Sequence, residues 1–319
     1  MTRRLFLRQG AALLALPTWP ALHARAQTQT PTPISYGYSA VSDFATVFVG
    51  VEQGLFQRRG LALQPTFIPL NPTIIPGLQS GSLQIGGPTP TGLLQAVDAG
   101  LDLVVLGGGG VLSKQYTELG LVAKAGSGIK TAADCVGRRI GVPGVGALLH
   151  VTFRHWLKMN GVDAAQVRFV EAPFPQHADM IRGGAVDAVV SGGPFMARIL
   201  ESGQGTVAAY YTTFLPEGYP TIVHAARRDW AEQNPSLVKA FRETLVEAAA
   251  FMAKKSNDAA VREALAKHLK LPPPVVARMQ ISPPAPTVTL AQLQWWAALM
   301  KEQGLLKGDP AVAKLMAKA

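Results

Sequence analysis

Short apolar runs alternate with longer segments of helical periodicity along most of this chain. Residues 34–38, 63–68, 83–86 and 101–106 read as strands, as do 139–142, 167–171, 186–190 and 221–224. Most are short, and several end in glycine or proline. Strands and helices in alternation predict an α/β chain with parallel sheets covered by helices. The helical segments are clearer. Residues 146–160 place Leu149, Phe153, Trp156 and Leu157 on one face and stop at Gly161. Asn234-Pro235 reads as a cap followed by proline at the first helical position. Behind it Leu237, Phe241, Leu245, Ala248 and Met252 recur at helical spacing. Val261, Leu265 and Leu269 mark a further helix ended by Pro272-Pro273-Pro274, and a last one runs from Thr289 through Leu293, Trp296 and Met300 to Gly304.

One internal echo bears on the architecture. Leu78-Gln79-Ser80-Gly81-Ser82-Leu83-Gln84-Ile85-Gly86-Gly87-Pro88 is similar to Ile181-Arg182-Gly183-Gly184-Ala185-Val186-Asp187-Ala188, which continues to Gly192-Gly193-Pro194. Each reads as helix end, glycine turn, apolar strand and Gly-Gly-Pro, as expected of equivalent corners of two similar lobes. The length of 319 residues also favours two lobes over one core. Ligands of open parallel sheets bind beyond the C-terminal strand ends. Two such lobes facing each other form a cleft that closes by hinge motion.

The first residues change the charge balance. Thr2-Arg3-Arg4-Leu5-Phe6-Leu7-Arg8 is a positive leader, Ala11 to Leu16 a short apolar run, and Ala24-Arg25-Ala26 a small-residue cleavage site. This is the anatomy of a secretory signal over residues 1–26, with twin-arginine character. It predicts export to the periplasm and cleavage near Ala26. Removing its four arginines takes the net charge from +10 to +6, with 26 basic and 20 acidic residues left. That permits weak steering of small anions. No basic run interleaved with aromatics points to nucleic acid. Cys135 is the single cysteine, so no internal disulfide forms, and a buried, inert thiol is expected.

Catalytic signatures are missing. Leu112 stands where a dinucleotide fingerprint after Gly107–Gly110 needs glycine, and Ile129 stands where a phosphate loop needs glycine before Lys130. His150 and His155 lie five apart and do not share a helix face, and no cysteine or acidic pair completes a zinc set. No metal, cofactor or catalytic residue is expected. Two helix starts remain: Gly87-Pro88-Thr89-Pro90-Thr91 and Pro143-Gly144-Val145-Gly146-Ala147. Each leaves free N–H groups in a glycine-rich approach, which favours anions. Plain capping explains a single such threonine as well; one helix start per lobe favours binding.

The residues Phe48-Val49-Gly50-Val51-Glu52-Gln53-Gly54-Leu55-Phe56 with Gly60-Leu61 carry a family likeness. It continues through Leu78–Gly86, resumes at Ser127-Gly128-Ile129-Lys130-Thr131-Ala132-Ala133-Asp134 and Gly137-Arg138-Arg139-Ile140-Gly141-Val142, and ends with Gly161-Val162, Val167–Glu171 and Gly184–Ala188. Together these resemble ABC-importer substrate-binding proteins for sulfonates, taurine, nitrate and thiamine-precursor pyrimidines. The resemblance implies a type II periplasmic-binding fold, two α/β lobes joined by two crossing strands around a ligand cleft. It places residues 34–120 plus 216–319 in lobe 1 and 121–215 in lobe 2. It implies a monomer that captures a small organic anion, a sulfonate or carboxylate, and delivers it to an ABC permease with its ATPase.

By the same resemblance the ligand positions are Ser39, Ser42 and Asp43 after the first strand, Thr89 and Thr91, then Gly144, Val145, Gly146 and Ala147. Ser191 and Gly193 follow in lobe 2, and Tyr219 and Thr221 at the return to lobe 1. Relatives often carry an aromatic and an acid before the proline where this chain has Gly192 and Gly193. That departure predicts a roomier site and speaks against an amine-bearing ligand. His150 and His177 stand as further candidates or as ordinary core histidines. The alternatives are a neutral heterocycle in the same cleft, a secreted enzyme on this scaffold, or the effector-binding half of a transcription regulator.

Overall fold

The computed structural model describes residues 30–308 and 310–316. The expected export signal and its cleavage point near Ala26 lie outside the described residues. Among the described residues ten strands form two five-stranded sheets. They are β1 (Thr32–Tyr38), β2 (Leu61–Phe67), β3 (Ile85–Gly86), β4 (Leu103–Gly108), β5 (Leu119–Lys124), β6 (Arg139–Val142), β7 (Arg168–Glu171), β8 (Ala188–Gly192), β9 (Gly205–Ala209) and β10 (Val223–Arg227).

The sheet orders are β2-β1-β3-β10-β4 and β7-β6-β8-β5-β9. The two halves repeat one plan. β1 and β6 each pair in parallel with two neighbours, and one strand reaching in from the other half of the chain runs antiparallel in each sheet. β10 is that strand in the first sheet and β5 in the second. The expected parallel pairing holds among β1, β2 and β3 and among β6, β7 and β8, and the crossing strands β5 and β10 add antiparallel pairing. The chain crosses between the sheets at residues 109–118 and 210–222, so β5 and β10 enter from the opposite end. The Gly-Gly-Pro echo falls at β3 and β8, the third position of each sheet.

Two strands escaped the sequence pattern, β5 and β9. β5 carries Gly120 in its second position, a residue that weakens strand signals. β9 is Gly-Thr-Val-Ala-Ala and half-buried.

Helices pack where their apolar faces dictate. The Pro235–Met252 helix buries Val238, Phe241, Thr244, Leu245 and Ala248 against the first sheet's core. Full burial of a phenylalanine such as Phe241 contributes about 1.5–3 kcal/mol. Proline does open that helix, but Asn234 makes no capping bond. Its amide nitrogen donates to the carbonyl of Trp230 at 2.8 Å. The Leu290–Glu302 helix starts at a capping box, in which Thr289 accepts from the Gln292 N–H and the Gln292 side chain accepts from the Thr289 N–H. The triple proline does not simply end its helix: a new helix, Pro273–Arg278, begins inside it. Cys135 is fully buried and burial pushes its thiol up to about 12, so it is held as an unreactive thiol. Among the described residues no helix is long and apolar enough to cross a membrane.

Candidate functional site

The loops that leave the C-terminal ends of β1, β2, β3, β6 and β7 converge between the two sheets. They line a cavity of about 60 Å³. The first-sheet side supplies Ser39, Val41, Asp43, Pro69, Asn71 and Thr89. The second-sheet side supplies Leu119, Pro143, Ala147, Leu148, Leu149 and Phe174, and the returning chain adds Thr221 and Ile222. Most of this wall is apolar, with a few polar groups placed to orient a small solute.

Asn71 organises the polar part. Its amide nitrogen donates to the Gly87 carbonyl at 2.9 Å and to the Ser39 hydroxyl at 3.3 Å, and its oxygen accepts the Thr89 N–H at 2.9 Å. Three loops are thus fixed by one buried side chain. Sequence reasoning passed over Asn71. Its place in Leu70-Asn71-Pro72, just past a strand end, was the available signal.

Thr89 caps the Pro90–Asp98 helix, its hydroxyl accepting from the Gly92 N–H at 3.2 Å and lying 3.0 Å from the Thr91 hydroxyl. Both are buried, but only Thr89 lines the cavity. Ala147 is the N-cap of the Leu148–Met159 helix and offers no side-chain bond. The first turn has N–H groups without intrahelical partners, and its Leu148 and Leu149 stand in the cavity wall.

Asp43 is 7% exposed. Its Oδ1 accepts from the Thr221 hydroxyl and, at 3.3 Å, from the Ser282 hydroxyl. Burial pushes its carboxyl above the ordinary value, and the two hydroxyl bonds pull part of the way back. No other side chain of the wall is ionisable.

Of the expected ligand positions, Ser39, Asp43, Thr89, Ala147 and Thr221 meet at the cavity. The others are not part of its wall. Ser42 lies 3.1 Å from the Tyr116 hydroxyl and accepts the Ser282 N–H at 3.1 Å, which ties the β1 loop to the first crossing segment. The Gly146 N–H donates to His150 Nδ1 at 2.9 Å, and the Val145 N–H to Glu171 at 3.0 Å. Gly144 abuts the first-sheet side: a Cβ there would lie 2.8 Å from Pro72 Cγ. Ser191 is turned into the core, 2.9 Å from His177 Nδ1. Tyr219 packs on Trp295 with ring centroids 4.5 Å apart. Gly193 donates its N–H to the Glu118 carbonyl at 2.7 Å.

The glycine pair departs from the expected roominess in one place. A Cβ at Gly192 would lie 2.6 Å from Leu119 Cδ2, so that space is already filled by a wall residue. Only Gly193 has open space within 4 Å. His150 and His177 are buried braces outside the wall; desolvation holds both neutral, with pKa values lowered to about 4.

The chain is 25% identical over 292 residues to the nitrate/nitrite binding protein NrtA of Synechococcus elongatus, covering 77% of this chain and 66% of the relative. It is 24% identical over 258 residues to the nitrate import ATP-binding protein NrtC of Synechocystis, covering 75% of this chain but only 37% of that relative. The chain therefore spans between about one third and two thirds of these relatives. In fold it is similar to the alkanesulfonate-binding protein SsuA of Xanthomonas axonopodis pv. citri bound to MOPS. That match has a TM-score of 0.75 at 21% identity and covers 91% of this chain and 99% of the other. A family model matches residues 27–267, and on that match the chain belongs to the NMT1-like family.

Proposed function

We propose that this chain is the exported solute-binding component of an ABC importer. It closes its two lobes around a small solute with an anionic group and presents it to a permease and its ATPase. The observation that carries this reading is the cavity between the sheets, walled by loops from both and facing the start of the Leu148–Met159 helix. N–H groups at such a start favour negative charge, and the apolar wall suits a short organic body. The names of the relatives, binding proteins for nitrate and alkanesulfonate, point the same way. Lobes of residues 34–120 plus 216–319 and 121–215, a monomeric state, and export on a twin-arginine signal in residues 1–26 belong to the same reading.

Binding without turnover belongs to this reading. The wall holds no imidazole or amine beside the hydroxyls of Ser39, Thr89 and Thr221, and its single ionisable group, Asp43, already accepts from the Thr221 and Ser282 hydroxyls.

A thermal-shift panel on mature protein, refolded to strip bound solute, tests the proposal. The panel holds sulfonates, carboxylates, nitrate, amines and heterocycles. A solute at ~100 times its Kd stabilises the fold by about 2.7 kcal/mol, a rise of several degrees in Tm. A saturable shift with a compound bearing an anionic group, recovered unchanged, is expected. Shifts with neutral or cationic compounds alone, or consumption of the compound, overturn the reading.

A further inference from the structure

The geometry points to Asn71 as a positioning residue for solute binding: its amide donates to the Ser39 hydroxyl and so leaves the Ser39 hydrogen for an oxygen of the solute. The inference rests on the solute-binding reading and concerns a wall residue that the sequence pattern does not mark.

The orientation of the Asn71 amide is set by its two other partners. The Gly87 carbonyl can only accept and the Thr89 N–H can only donate, so Nδ2 faces Gly87 and Oδ1 faces Thr89, each at 2.9 Å. A flipped amide would set oxygen against oxygen and N–H against N–H. The second N–H of that fixed Nδ2 reaches the Ser39 hydroxyl at 3.3 Å. The amide nitrogen is a donor only, so Ser39 is the acceptor in this contact.

The Ser39 hydrogen is then left over. Ser39 is 4% exposed and lines the cavity, and among the described residues its hydroxyl has no second partner. A buried donor without an acceptor is unfavourable, and the cavity is where an acceptor can be supplied. Three other donors around the cavity are already engaged. The Thr89 N–H goes to Asn71, the Gly92 N–H to the Thr89 hydroxyl and the Thr221 hydroxyl to Asp43. A solute oxygen against the first-sheet side therefore takes its hydrogen from Ser39. That hydroxyl stays in register because Asn71 is itself pinned at both ends of its amide.

Ethanesulfonate, benzoate and nitrate test this. None carries a donor at pH ~7, so any hydrogen bond shared with Ser39 runs from the hydroxyl to the anion. Titration calorimetry of the stripped wild type, Ser39→Ala, Asn71→Ala and the double variant measures Kd for each probe that binds. Ser39→Ala is expected to weaken binding about tenfold or more, as suits a hydrogen bond to a charged group. Asn71→Ala is expected to weaken it by a comparable factor. The double variant is expected to bind about as well as the weaker single one, because both changes remove the same donor. Asn71→Leu, which keeps more of the packing, takes its place in the cycle if the alanine variant does not melt cooperatively. Losses that multiply in the double variant overturn the inference, since Asn71 then acts through the general packing of the loops. An unchanged Kd in Ser39→Ala, or in a folded Asn71 variant, overturns it as well. Each of these outcomes leaves the solute-binding reading standing. Binding of none of the three probes counts against that reading itself and removes the inference with it.

Discussion

Lowering the pH from about 7 to about 5 is expected to destabilise the fold by about 5 kcal/mol. Three buried histidines carry this effect. Burial lowers His150 and His177 to about 4 and His224 to about 3. Each is wedged where a charge has no solvent. His177 lies with Nε2 2.7 Å from the Ala172 carbonyl and Nδ1 2.9 Å from the Ser191 hydroxyl. His150 accepts the Gly146 N–H and meets the Phe169 ring edge-on, with centroids 4.5 Å apart. His224 lies 2.8 Å from the Tyr36 hydroxyl, among Phe44 and Phe241.

The unfolded chain protonates these rings near pH ~6.5, whereas the folded chain resists until about 4. Protons therefore favour the unfolded state, and the stabilising contribution is full above ~6.5 and lost as pH falls below it. Each histidine accounts for about 2 kcal/mol by pH ~5, a large part of the 5–15 kcal/mol typical of a folded domain. Urea unfolding at the two pH values measures it. Equal midpoints and slopes at both would contradict the burial of these rings as neutral groups.

The second large effect concerns closure. Gly144→Ala is expected to weaken solute binding by about 5- to 150-fold while leaving the solute-free Tm within a few degrees. A Cβ at Gly144 would stand 2.8 and 2.9 Å from Cγ and Cδ of Pro72, a rigid ring on the facing side of the cleft. The neighbours of this contact, Pro143 and Asn71, both line the cavity. Overpacking such a seam costs about 1–3 kcal/mol, which converts to that range of affinity. On the proposed hinge closure the two sides meet at this contact, so most of the penalty falls on the bound state, while the 3.2 Å approach to the Ala147 Cβ adds a smaller cost to both states. Titration calorimetry with a solute selected by the thermal-shift panel, together with melting of the solute-free variant, measures both halves. An unchanged Kd would remove this seam from the closure.

The α/β order, most strand positions and the duplicated corner could be read from local pattern, because apolar runs ending in glycine mark strand ends wherever they lie. The antiparallel strands could not. β5 and β10 owe their direction to crossings between sheets, which no local period encodes. The cavity follows the same division. Ser39, Asp43, Thr89, Ala147 and Thr221 sit at strand ends and helix starts, where position alone predicts access. Asn71, Leu119 and Phe174 reach the wall through tertiary packing, and Ser191 turns away from it because His177 accepts its hydroxyl. Side-chain direction in a loop is set by partners distant in sequence, such as Asn71 with Gly87 and Ser39, and no spacing rule supplies them.

On the proposed function a small solute binds in the cavity between the sheets. Titration calorimetry of the stripped wild-type protein beside Val41→Trp tests it most directly, using the solute with the largest thermal shift. Val41 is half-buried in the wall, so an indole there fills the cavity with little demand on the core. One saturable site is expected in the wild type, with loss of the binding heat in a Val41→Trp protein that still melts cooperatively. Undiminished binding by that folded variant would contradict it.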